Sequence, residues 1–171
     1  RVMQEYLDKL AEGSVPVVLL TRQNYEEKLK EGGLPSFIIN KVKKQVDAGK
    51  PVAGFMARGK VYLMEDGLSS IEEARVTYVH ERQHTFNSSN PQLVQRVANA
   101  LGNEESALAI LKSFVKGKGI DSYKDDDLNA LADEIICRSM EVAYTTEDFS
   151  VDLQSRGIPS EVISIITEID N

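Results

Sequence analysis

The chain has 171 residues, of which 42% are hydrophobic and 27% charged, and it carries a formal charge of −7 at pH 7. That length suits one domain with a substantial core, and the acidic balance disfavours sequence-independent binding to nucleic-acid phosphates. No apolar run approaches the roughly eighteen residues that a membrane-spanning helix needs, and the composition is that of a soluble protein. The one cysteine, Cys137, excludes an internal disulfide and slightly favours the cytoplasm. The first residue is Arg1 rather than methionine, which implies an upstream segment, so secretion stays open.

In chain order, Val2 to Leu10 has helical apolar spacing and stops at Gly13. Val15 to Leu20 is a β-branched run of strand length, and a short charged helix follows from about Asn24 to Lys30. Pro35 and Ser36 open another helix, with Phe37, Ile38, Val42 and Val46 expected on its inner side. Val52–Ala57 and Lys60–Met64 flank Arg58-Gly59, which predicts a β-hairpin. Ser69 and Ser70, with Glu72 and Glu73 three residues after each, form a capping box that starts a helix running to about Phe86.

Asn90-Pro91 opens a helix that Gly102 closes, and Asn103 caps the next, to about Val115. A long helix is predicted over about Asp126 to Tyr144, with Asp125, Asp126 and Asp127 at its solvated start. Thr145 or Thr146 caps a short helix, and Pro159 opens the last, with Val162, Ile163, Ile166 and Ile169 inside. The pattern reads as one α+β domain over 1–171, mostly helical. A sheet and an active helix occupy about 1–86, and a helical bundle about 90–171.

The segment that carries chemistry is Val76-Thr-Tyr-Val-His80-Glu81-Arg82-Gln83-His84. His-Glu-x-x-His on a helix puts both imidazoles on one face, able to meet one ion. Glu81 lies one position round, suited to take a proton from water rather than to bind the metal. The chain has two histidines and both fall in this motif. Random placement gives such a match in roughly a few chains per thousand.

With no third histidine, the remaining ligand falls to a carboxylate, with Cys137 as the weaker alternative. The extended class with a later glycine and histidine is excluded, because Asn87 and Asn90 stand at those positions. Apolar residues nearly encircle the helix Leu128–Tyr144, so it is expected to be buried, and a buried carboxylate needs a partner. Glu134 is the chosen ligand. Glu141 is the reserve, as a ligand or as a residue orienting a histidine. The competing reading pairs either glutamate with Arg138 at helical spacing. For Cys137, core packing outweighs catalysis.

His80-Glu-Arg-Gln-His84 and Ala132-Asp-Glu134-Ile-Ile-Cys-Arg138, in that order after the strand Lys60–Met64, resemble the glutamate-type zincin metallopeptidases, or gluzincins. The likeness is to compact peptidase domains of bacteria and of phage or mobile elements. It implies one zinc ion, a small sheet packed on the active helix, and a peptide or protein substrate. It further implies an edge strand that holds an extended substrate, a role falling here to Lys60, Val61, Tyr62, Leu63 and Met64. A transition-state tyrosine is also implied, for which Tyr78, Tyr123 and Tyr144 are candidates, with Arg138 as another. The expected activity is zinc-dependent peptide-bond hydrolysis with Glu81 as base. The alternative is a catalytically silent binding or regulatory module of the same fold.

Overall fold

The computed structural model describes residues 2–49 and 53–170. The chain divides into two compact units, Arg1–Arg82 and Gln83–Asn171, where the sequence reading makes one domain of two parts. The boundary falls inside one long helix.

The first unit holds α1 (Val2–Leu10), β1 (Val17–Leu20), α2 (Tyr25–Glu31), α3 (Ser36–Asp47), β2 (Gly54–Ala57), β3 (Lys60–Met64) and the start of α4 (Ile71–Ser88). The three strands form a sheet in the order β1-β3-β2. β2 and β3 are the expected hairpin, antiparallel with Ala57 opposite Lys60. Arg58 and Gly59 both adopt positive φ, 50° and 74°, as a two-residue turn matching the strand twist requires. Val52, part of the predicted hairpin, lies outside the described residues.

β1 joins β3 in parallel, with Val17 opposite Val61. β3 is therefore central. That corrects the expectation that Lys60–Met64 lines a cleft as an edge strand, because its backbone is already paired on both sides. The outer edges belong to β1 and β2. Alternate residues of the strands feed two cores. Val17, Leu19, Val61 and Leu63 pack with Leu7, Ala74 and Tyr78 of α1 and α4. Leu20, Tyr62 and Met64 pack on the opposite face with Leu29, Ile39, Val42 and Val46 of α2 and α3.

Within α3 the inner stripe is Ile39, Val42 and Val46, with Ile38 partly buried against it. Phe37, expected inside, is 72% exposed. One helical turn fixes this: the residues three and seven positions on from Ile39 share its face, and Phe37 lies off it.

One half of the predicted Ser70–Glu73 box forms at the α4 start, and the glutamate reaches back one residue further, to Ser69. Ser70 Oγ accepts from Glu73 N at 3.0 Å, and Glu73 Oε2 accepts from Ser69 N at 2.9 Å. Glu72 instead pairs with Arg75 at 3.6 Å.

The second unit is helical: the end of α4, then α5 (Pro91–Leu101), α6 (Glu104–Lys112), a 3-10 turn over Gly117–Tyr123, α7 (Leu128–Thr145), α8 (Phe149–Ser155) and α9 (Ser160–Asp170). Asn103 caps α6 by accepting from Ser106 N, and Asp127 caps α7 by accepting from Ala130 N. α8 begins after Asp148, two residues beyond the predicted Thr146 cap. α7 packs against α5, α6, α8 and α9 and buries Leu131, Ala132, Ile135, Ile136 and Met140. The same burial carries Glu134 inside, 8% exposed.

Candidate metal centre

α4 runs unbroken through His80, Glu81 and His84, so their relative placement is set by the helix itself. His80 is 8% exposed, while Glu81 and His84 are half-buried. His80, His84 and Cys137 each offer a donor atom, all within 4.8 Å of one another, a group that could hold a metal ion.

Around His84 the second unit supplies a defined set of partners. Nδ1 lies 2.8 Å from Asp133 Oδ2, and Nε2 lies 3.3 Å from Glu134 Oε1. Asp133 is fixed in turn: its Oδ1 accepts from Asn87 Nδ2 at 2.6 Å, and Asn87 Oδ1 accepts from Gln83 Nε2 at 2.9 Å. Gln83 and Asn87 are both buried, and these bonds satisfy them. Asn87 Nδ2 also approaches Cys137 Sγ at 3.7 Å.

Glu134 divides its two oxygens. Oε2 accepts from Arg138 Nε at 3.0 Å and from Tyr123 Oη at 3.3 Å, while Oε1 faces His84. The ion pair with Arg138 that the sequence allowed is therefore present, and it leaves one carboxylate oxygen toward the imidazole. Glu141, one heptad on, lies 3.9 Å from Arg138. Tyr144 is half-buried on the same helix.

The protonation balance reflects this crowding. Burial opposes a charged His84 ring, but hydrogen bonds to Asp133, Cys137 and Glu134 outweigh it and hold the group above its ordinary value. Burial pushes the Cys137 thiol up to about 12, against the hydrogen bond from His84 that pulls it down. Two carboxylates and a thiol thus converge on one ring and demand positive charge there.

Two imidazoles and a thiol are donors of the kind that a zinc ion accepts. Glu134 Oε1, 3.3 Å from His84 Nε2, stands beside that group. Asp133 lies against Nδ1, the kind of carboxylate contact that orients ligating histidines in metal sites.

Tyr78 leaves the list of transition-state stabilisers. It is fully buried, and its hydroxyl donates to the Val15 carbonyl at 2.8 Å, so the phenol is a packing residue of the first unit. Asp133 and Asn87 were missed by sequence reasoning. The available signal was that Asn87 stands three residues after His84, and Asp133 one turn of α7 before Cys137.

No family model, no curated protein and no solved structure matches the chain. Among the described residues no helix is long and apolar enough to cross a membrane.

Proposed function

We propose that the protein is a zinc metallopeptidase in which His80, His84 and Glu134 hold the ion and Glu81 is the general base. The observation that carries this reading is the group of donor atoms that His80, His84 and Cys137 place within 4.8 Å of one another, with Glu134 Oε1 3.3 Å from His84 Nε2 beside it. When bound, a zinc ion supplies Lewis acidity, polarising the scissile carbonyl and making water acidic enough to attack near neutral pH. His80 and His84 hold their nitrogens toward one point because they stand four residues apart. Asp133, 2.8 Å from Nδ1, orients the His84 ring, and Asn87 and Gln83 orient Asp133.

Glu81 sits beside the two histidines, one position round the helix. Its carboxylate accepts a proton from the attacking water and then passes that proton to the departing amine. Both transfers use one group, which accounts for a glutamate between two histidines. Arg138 and Tyr123 anchor the outer oxygen of Glu134 and so hold the inner one in place. The substrate is a peptide or protein.

The test is zinc content by elemental analysis, followed by hydrolysis of a quenched-fluorescent peptide library. One equivalent of zinc in the wild type, with cleavage abolished in Glu81→Gln, supports the reading. Zinc without cleavage of any peptide points to the silent module instead. No zinc after incubation with the ion ends both.

A further inference from the structure

The site contains a donor that a peptidase of this design does not use. Cys137 stands three residues after Glu134 on α7, so both side chains leave the same helix face. The thiol is fully buried, hydrogen-bonded with His84 and within 3.7 Å of the Asn87 amide that also holds Asp133. Its sulfur belongs to the group with the His80 and His84 nitrogens, all within 4.8 Å. Its polar neighbours are two imidazoles and the Asn87 amide.

We infer that Cys137 is a direct ligand of the bound ion, in the donor group it forms with His80 and His84. The inference rests on the metal reading above. Binding costs the thiol its proton, which passes to solvent, with no change of oxidation state. A soft sulfur donor also shifts preference toward thiophilic ions over magnesium or calcium.

The experiment is cobalt substitution of the full chain, followed by absorption spectroscopy. Cobalt bound with a thiolate ligand gives an intense near-ultraviolet charge-transfer band beside the visible bands of a tetrahedral ion. Both are expected in the wild type. Cys137→Ser is expected to keep the visible bands and lose the ultraviolet one. Visible bands without the charge-transfer band in the wild type, or its persistence in the variant, overturns the assignment while leaving the metal centre intact. No cobalt or zinc binding at all overturns the metal centre itself. X-ray absorption on the zinc-loaded wild type needs no variant. One sulfur at about 2.3 Å supports the proposal, and a shell of only nitrogen and oxygen at about 2.0–2.1 Å refutes it.

Discussion

Asp133 Oδ2 lies 2.8 Å from Nδ1 of His84, and the next residue along the chain, Glu134, meets the opposite nitrogen of the same ring. Adjacent positions of a helix normally diverge by about 100°. Here they straddle one imidazole, so α7 meets the ring at both nitrogens. Asp133→Ala removes one of these contacts and keeps every proposed ligand. Zinc affinity, measured by competition with a chromophoric chelator, is expected to fall about 10- to 100-fold. An unchanged affinity would show that Asn87 and packing position His84 without it.

Glu134 and Glu141 share a helix face but differ in what the structure places beside them. Glu134→Gln keeps the shape and loses the charge that faces His84, and it is expected to lose stoichiometric zinc after dialysis. Glu141→Gln is expected to retain one equivalent, since Glu134 is the carboxylate set 3.3 Å from a histidine nitrogen. Elemental analysis of the two purified variants decides the matter. Loss in the second and retention in the first would exchange their roles.

Much of the site was legible because its signals are local. The capping box fixes where α4 starts, helical spacing aligns His80 with His84, and the apolar encirclement of Leu128–Tyr144 announces that Glu134 is buried. Asp133 was not legible, because whether a half-buried aspartate meets a histidine depends on which side of α7 faces α4. Strand order was missed for a different reason. A hairpin is read from neighbouring residues, whereas the parallel pairing of β1 with β3 spans more than forty residues. One sign was present: Val61-Tyr-Leu-Met64 is continuously apolar, as befits a strand buried on both faces, and not the half-polar alternation of an exposed edge.

The inner face of α3 was mistaken at Phe37 because a large apolar residue near a helix start invites a place in the core. The two residues give a direct comparison. Ile39→Ala removes a side chain packed with Val42, Val46 and Tyr62, and is expected to cost about 2–4 kcal/mol in chemical denaturation. Phe37→Ala, at a site 72% exposed, is expected to stay within about 0.5 kcal/mol of wild type. Equal losses would mean that Phe37 packs on a surface in solution.

The start of the motif helix carries a pH signature separate from the metal centre. The Ser69 hydroxyl donates to the Glu73 carboxylate, and so does the Ser69 backbone N–H; together they hold that carboxyl below its ordinary value against a slight opposing effect of burial. A depressed carboxyl contributes stability that is present above the unfolded-state value, near pH 4.3. That contribution is lost as the pH falls through the lower folded-state value. At pH 7, Glu73→Gln is therefore expected to be less stable than wild type by a few tenths of a kcal/mol, the size of a charge at a helix start screened by solvent. The melting curves of the two proteins should converge as the pH is taken from 7 to 3. Ser70→Ala removes the neutral half of the box, where Ser70 Oγ accepts from Glu73 N, so its cost should change little over the same range. A Glu73→Gln deficit that stays constant down to pH 3 would show that the carboxylate's charge contributes nothing to where this helix begins.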